Sequence, residues 1–160
     1  MNKSVIIAVH PLEKKPSHQV KHVQHLLKAL GNKELELKSI TSLFRLEGDF
    51  SAQDAQKAAE EILCDPVVES YSVNAAPKDD KTFFADVWYK PGVTDSVGDS
   101  VLKALRDINV ISVEKSFAGV RYEFCANFSD KNVNAREKIK EFTSKQLLNP
   151  LVQECLISKL

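Results

Sequence analysis

The chain has 160 residues, and its 22 basic and 22 acidic side chains give a formal net charge of zero. Without an overall positive field, nucleic acid is not an expected partner. The three cysteines include no Cys-x-x-Cys pair, so the sequence predicts neither a disulfide framework nor a zinc ribbon and fits a reducing compartment. No apolar stretch approaches the length of a membrane span, and we expect a cytoplasmic protein that does not bind membranes.

The first half of the chain opens with a strand pattern followed by a helix pattern. Residues 5–9 are an apolar run typical of a strand, and apolar side chains recur at helical spacing over residues 20–30. The pair Gly31-Asn32 predicts the C-terminal cap of that helix. Two short apolar runs, residues 35–37 and 43–46, then predict a hairpin.

A second helix and a further strand complete this half. Ser51 is a candidate N-cap, and Asp54 occupies the third position of an imperfect capping box. Residues 67–73 predict the last strand. The resulting order, βαββαβ, is that of a ferredoxin-like unit.

The second half is organised around a strand, a turn and a capped helix. Residues 83–89 alternate with period two but are apolar on both faces, which predicts a strand covered on both sides. Pro91-Gly92 ends this strand, and Thr94 or Asp95 can cap the helix that follows. Gly98 lies inside that helix, where glycine is unfavourable, so we expect another backbone to approach it closely.

The rest of the second half repeats the pattern of the first. Residues 113–124 predict a hairpin with Gly119 at its turn, and residues 130–148 predict a helix about two turns longer than its counterpart. The linker, residues 75–81, is small, charged and contains a proline, which is typical of an exposed connection.

Short matches in the same order indicate an internal duplication. The chain therefore divides into repeat 1 (residues 1–74) and repeat 2 (residues 82–160), and we expect an α+β fold of two tandem ferredoxin-like units with pseudo-twofold symmetry. The matching segments are Leu27-Lys28-Ala29-Leu30 with Leu102-Lys103-Ala104-Leu105, Phe44-Arg45-Leu46-Glu47 with Val120-Arg121-Tyr122-Glu123, Asp49-Phe50-Ser51 with Asn127-Phe128-Ser129, and Asp65-Pro66-Val67-Val68 with Asn149-Pro150-Leu151-Val152.

Two candidate chemistries have simpler explanations. His18, His22 and His25 share a helical spacing that metal ligands can use, but the apolar stripe lies on the opposite face, so we interpret them as solvated side chains; His10 is predicted to lie in a loop. Cys125 has no histidine near it in sequence, and a small, buried structural side chain is the favoured interpretation. We therefore predict no metal site and no catalytic residue.

The second half resembles a known family. The segment Lys90-Pro91-Gly92-Val93, with Asp95 and Gly98 after it, resembles the start of the PurS family, the small subunit of phosphoribosylformylglycinamidine (FGAM) synthase. The segment around Gly119 resembles the central hairpin of that family, and Leu147-Leu148-Asn149-Pro150-Leu151-Val152 resembles its ending. Ser96 departs from the proline that is usual in the family, and the chain is about twice the family's unit length.

The resemblance implies a role without catalysis. It predicts a scaffold that bridges a PurL-type synthetase and a PurQ-type glutaminase in purine biosynthesis, either as a fused small subunit or as the N-terminal piece of a larger synthase. The complex would use ATP, Mg and glutamine, while this chain would need no cofactor. A homodimer of the tandem unit is a further possibility. The partner-contacting residues implied by this resemblance are Lys90, Pro91, Gly92, Asp95, Gly98, Gly119 and Arg121.

A ligand-sensing module is the alternative function. Paired ferredoxin-like units can bind an amino acid or a nucleotide and regulate an enzyme, with the polar turn of residues 91–95 as the ligand clamp. Ligand-dependent stabilisation would distinguish such a module from a scaffold.

Overall fold

The computed structural model describes residues 2–159 and shows an α+β fold, as predicted. The described strands form one sheet in the order β3-β1-β2-β5-β4-β6, in which β1 pairs antiparallel with β2 and β3, and β4 pairs antiparallel with β6. The strands are β1 (Lys3–Pro11), β2 (Leu35–Gly48), β3 (Glu69–Val73), β4 (Thr82–Tyr89), β5 (Val113–Ala126) and β6 (Gln153–Lys159). The helices are α1 (His18–Ala29), α2 (Ala52–Ala58), which continues as a π-helical turn (Ala59–Leu63), α3 (Ser96–Asp107) and α4 (Ala135–Gln146).

Local sequence signals explain where the helices begin and end. The Ser17 hydroxyl accepts a hydrogen bond from the Val20 N–H and starts α1, and Gly31, with a φ of 81°, ends it as predicted. Ser51 and Asp54 form a complete capping box at the start of α2. These caps satisfy backbone groups that the first and last helical turns leave unpaired.

Both predicted hairpins are wrong. Residues 35–37 and 43–46 belong to a single strand, β2, and the segment around Gly119 lies inside β5. Each of these strands is 14 residues long. Each half of the sequence therefore contributes three strands instead of four.

Two compact units can be distinguished, and both contain segments from the two halves of the sequence. Unit 1 comprises residues 1–13, 41–75 and 91–119, so it holds β1, the second part of β2, α2, β3, α3 and the first part of β5. Its core contains Ile7 and Leu46 from the first half of the sequence together with Leu105 and Val113 from the second, all at most 1% exposed. Unit 1 is thus a ferredoxin-like set of four strand segments and two helices.

Unit 2 contains the remaining segments of the chain. It comprises residues 14–40, 76–90 and 120–160, so it holds α1, the first part of β2, β4, the second part of β5, α4 and β6. Leu27 and Leu35 from the first half of the sequence pack in its core with Phe124 and Ile139 from the second. The repeat boundaries 1–74 and 82–160 remain a prediction about the sequence, and the compact units are assembled from other segments.

The order and lengths of the elements support the duplication but change its register. Helices α1 and α3 are both 12 residues long, and aligning their caps, Ser17 and Asp95, pairs Leu27 with Leu105 and not with Leu102. Aligning the ends of β2 and β5 likewise pairs Arg45 with Glu123 and not with Arg121. The pseudo-twofold symmetry itself stays a prediction.

The insertion in the second repeat lies in a loop. Helix α4 has 12 residues, while α2 and its π-helical continuation have seven and five, so the predicted lengthening of the helix is wrong. The additional residues precede Asn134, the N-cap of α4. An exposed loop tolerates such an insertion more easily than a packed helix does.

The predicted covering of β4 is confirmed. All of its residues from Thr82 to Trp88 are buried, on both faces of the strand, and only Tyr89 is exposed. The linker is mostly exposed, as predicted, although Pro77 within it is buried. Over residues 2–159, no helix is long and apolar enough to cross a membrane.

Candidate functional site

Lys90 directly follows β4 and is exposed in unit 2. Its backbone N–H donates to the Val152 carbonyl over 2.9 Å, and its Nζ donates to the Pro150 carbonyl over 2.7 Å. These two bonds attach Lys90 to the segment Asn149-Pro150-Leu151-Val152. Two separate segments that carry the family resemblance are therefore neighbours in this unit.

The Asn149-Pro150-Leu151 turn is stabilised by its own hydrogen bonds. The Asn149 side-chain oxygen accepts a hydrogen bond from the Leu151 N–H over 3.1 Å. The Asn149 backbone carbonyl accepts hydrogen bonds from the Val152 and Gln153 N–H groups. Leu151 is 82% exposed at this turn. We call Lys90, Pro150 and Leu151 the Lys90 surface. The sequence prediction included Lys90 but missed the other two residues, although the Asn-Pro motif was a signal for them.

Pro91 and Gly92 lie in unit 1 and are exposed, as predicted for a turn. Gly92 has a φ of 84°, a conformation that glycine adopts without the steric cost of a side chain. A Cβ at this position would meet no atom within 4 Å. Backbone conformation, and not packing, therefore explains this glycine.

Asp95 is a buried structural residue. Its Oδ1 accepts from the Gly98 N–H over 2.8 Å and caps α3, and its Oδ2 accepts from the Ala118 N–H of β5 over 2.7 Å. Both carboxylate oxygens are thus engaged within unit 1, and only 9% of the residue is exposed. This arrangement does not support Asp95 as a ligand clamp or as a direct partner contact.

Gly98 also has a structural role, and the predicted close approach is confirmed. An ideal Cβ at Gly98 would lie 2.5 Å from the Ser116 carbonyl oxygen and 2.7 Å from Asp95 Oδ2. Both distances are too short for a real side chain. Asp95 and Gly98 therefore fix the first turn of α3 against β5.

Gly119 and Arg121 do not form an exposed hairpin tip. Gly119 is half-buried inside β5, and Arg121 is only 5% exposed. Arg121 belongs to unit 2 and cannot offer its guanidinium to a partner at the surface. The predicted exposure of Arg121 is therefore wrong, while the partner contact predicted for Gly119 stays a prediction.

Arg121 forms a buried ion pair that the sequence did not predict. Its Nε and an η nitrogen each donate to one oxygen of Asp86 over 2.7 Å, which is the two-bond geometry of a strong arginine–carboxylate pair. The guanidinium carbon also lies 4.2 Å from the centre of the Phe84 ring. An acidic residue in an otherwise apolar strand was the only available signal for Asp86.

The remaining candidate residues show no catalytic arrangement. His18, His22 and His25 are exposed on α1, and His10 lies in β1, not in a loop, with an imidazole nitrogen 2.8 Å from the Ser72 hydroxyl. Across residues 2–159, no three His, Cys, Asp or Glu side chains cluster as a metal site would require. Burial, with a smaller contribution from the Asp86 charge, raises the pKa of Cys155 to about 11, which disfavours its thiolate.

A groove in unit 1 has room for a small ligand. It has a volume of about 520 Å³ and lies between β1, β3 and the start of α2, where Val5, Phe50, Ala55 and Tyr71 are among its lining residues. None of its lining residues comes from the turn at residues 91–95. The ligand-sensing alternative, with residues 91–95 as its clamp, stays a prediction.

Comparison with known proteins gives one result for the second half of the chain. Residues 84–159 match the family model PurS, described as phosphoribosylformylglycinamidine (FGAM) synthase. The match spans β4 through β6 and includes Lys90, Asp95, Gly98 and the Asn149-Pro150 turn. No curated protein matches the chain. Residues 84–159 are therefore PurS-like.

Proposed function

We propose that the chain is a non-catalytic scaffold of FGAM synthase, which contacts a PurQ-type glutaminase and a PurL-type synthetase. The observation that carries the proposal is the PurS match over residues 84–159. The Lys90 surface, which presents matched residues on hydrogen-bonded segments, is compatible with a docking role. ATP, Mg and glutamine would be used by the partners.

The chemistry of such a complex explains why a scaffold is useful. Ammonia released from glutamine at one active site must reach a second active site before it is protonated or lost to water. Holding the two enzymes in a fixed relation shortens and shields that path. A scaffold can do this with surface contacts alone.

The Lys90 surface has properties suited to partner binding. Leu151 is largely exposed, and the turn that carries it is held by hydrogen bonds, so little conformational entropy remains to be lost when a partner binds. The Lys90 ammonium beside it can contribute charge complementarity. We therefore assign the partner contact to Lys90, Pro150 and Leu151, while Asp95 and Gly98 support the fold.

The function is tested with purified glutaminase and synthetase subunits. Adding the chain should raise glutamine-dependent formation of FGAM, with little change in activity supported by external ammonia. This difference is expected because a scaffold affects ammonia transfer and not the ligase chemistry. Turnover of glutamine or ATP by the chain alone, or failure to associate with either enzyme, would contradict the proposal.

Unit 1 offers a matched control for the proposed surface. The Leu12 N–H donates to the Val68 carbonyl, as the Lys90 N–H donates to the Val152 carbonyl, so Leu12 and Val67 correspond to Lys90 and Leu151. Lys90→Glu with Leu151→Asp should weaken partner binding about tenfold, or about 1.4 kcal/mol. Leu12→Glu with Val67→Asp should leave binding unchanged. If both double variants weakened partner binding equally in a titration assay, the assignment of the contact to the Lys90 surface would be wrong. The scaffold role would still stand.

A further inference from the structure

The two units hold different pairs of residues at corresponding buried positions. The matching bonds from Leu12 to Val68 and from Lys90 to Val152 align β1 with β4, so Ala8 corresponds to Asp86. The ends of β2 and β5 align Leu43 with Arg121. In unit 1, Ala8 lies directly opposite Leu43, and both are at most 1% exposed. The position held by a buried ion pair in unit 2 is thus apolar in unit 1.

Asp86 and Arg121 compensate each other's charge in the interior of unit 2. Asp86 is 4% exposed and Arg121 is 5% exposed, and their two hydrogen bonds of 2.7 Å use both carboxylate oxygens. The Phe84 ring lies against the guanidinium, whereas the corresponding residue of β1 is Ile6. A buried charge without its partner is strongly unfavourable, because no water replaces the lost interaction.

A competing arrangement can be drawn in which β1 and β4 exchange places, because β1 lies between β3 and β2 and β4 lies between β5 and β6 in the strand order. Each of these strands lies in a different unit from the helix that follows it in sequence. β1 belongs to unit 1 and α1 to unit 2, whereas β4 belongs to unit 2 and α3 to unit 1. If β1 and β4 exchanged places, each strand that precedes a helix would end in the same unit as that helix. The connections between consecutive elements therefore do not explain why β1 lies in unit 1 and β4 in unit 2.

The two arrangements differ sharply at the ion pair. In the exchanged arrangement, Asp86 would face Leu43 and Arg121 would face Ala8, so two buried charges would lose their partners. We infer that the Asp86–Arg121 pair is a strand-selection device, which places β4 beside β5 and leaves β1 beside β2. This role is one of specificity, achieved by penalising a competing structure.

A disulfide reporter can distinguish the two arrangements. Ser4 lies opposite Glu47 in the β1–β2 pair, and the residue of β5 that corresponds to Glu47 is the native Cys125. The reporter carries Ser4→Cys, Glu47→Cys, Cys64→Ala and Cys155→Ala. After reduced refolding at low concentration and mild oxidation, a link between positions 4 and 47 reports the observed arrangement. A link between positions 4 and 125 reports the exchanged one, and mass spectrometry measures their ratio in the monomer fraction.

The principal variant gives the second unit the apolar pair of the first. Asp86→Ala with Arg121→Leu should fold, and the ratio of the 4–47 link to the 4–125 link should fall about tenfold or more, equivalent to about 1.4 kcal/mol. Glu141→Ala with Lys145→Leu removes an exposed ion pair of α4 and should not change the ratio. An unchanged ratio in a folded Asp86→Ala, Arg121→Leu variant would overturn the inference.

A transfer variant decides the question even if the principal variant does not fold. Ala8→Asp with Asp86→Ala moves the carboxylate from β4 to β1, so only the exchanged arrangement can pair it with Arg121. The 4–125 link should then become the major product. A predominant 4–47 link, or a chain that fails to fold, would overturn strand selection by this pair.

Discussion

Asp95 shows how one side chain can connect two elements of a fold. One of its oxygens caps α3, and the other accepts a hydrogen bond from the Ala118 N–H in β5. Gly98 is required in the same place, because a Cβ there would collide with the Ser116 carbonyl and with Asp95 itself. The spacing of Asp95 and Gly98 is therefore explained by helix–strand packing.

Replacing Asp95 should cost more stability than replacing a residue that only caps a helix. Asp95→Ala removes the cap and leaves the Ala118 N–H without its acceptor, so we expect a loss of about 2–4 kcal/mol. Ser17→Ala removes the corresponding cap of α1 and should cost about 1 kcal/mol. Urea denaturation of both variants measures the difference, and equal midpoints would show that the bond to Ala118 contributes nothing.

At the residue scale, the sequence predicted backbone constraints better than charge partners. Gly98 stood out because glycine is unfavourable inside a helix, and this anomaly correctly indicated a close approach. The partner of Arg121 could not be inferred, because Asp86 is 35 residues away in sequence. Pairing at that separation depends on strand register, which local pattern does not determine.

At the scale of elements, the long strands are the main difference between expectation and structure. The segments interpreted as hairpin turns lie near residues 40–41 in β2 and at residues 119–120 in β5, where each strand passes from one unit to the other. Polar or small residues interrupt the apolar pattern near such a point, as they do at a turn, for example Ser39 and Thr41 in β2 and Gly119 in β5. Periodicity alone cannot separate the two cases, because it records which face is buried and not whether the chain reverses.

The pairing of β4 with β5 should show strong coupling between Asp86 and Arg121. Arg121→Leu leaves a buried carboxylate without its partner and should destabilise the protein by about 3–5 kcal/mol. Adding Asp86→Ala should recover most of that loss, because unit 1 accommodates an alanine and a leucine at the same positions. Denaturation of the wild type, both single variants and the double variant measures the coupling energy. Additive losses would show that the pair does not act as a unit.

At the scale of the whole molecule, neither half of the sequence contains a complete core. Unit 2 draws Val20, Val23, Leu27, Leu35 and Leu37 from the first half, all of them buried. Each such side chain contributes about 1.5–3 kcal/mol when it is fully buried, so together they match the total stability of a typical domain, about 5–15 kcal/mol. The sequence predicted a duplication but not this sharing, because matching segments do not reveal which copies pack together.

The shared cores predict the behaviour of the separated halves. A fragment of residues 76–160 retains the whole PurS match but lacks α1 and the first part of β2, so it should not fold as a monomer. Mixing it with a fragment of residues 1–75 should restore a folded one-to-one complex, because each fragment supplies what the cores of both units lack. Circular dichroism and size-exclusion chromatography with light scattering can follow both steps. Since a second copy of the fragment could supply equivalent segments, a folded dimer of residues 76–160 is consistent with shared cores, whereas a monomer that unfolds cooperatively on heating is not.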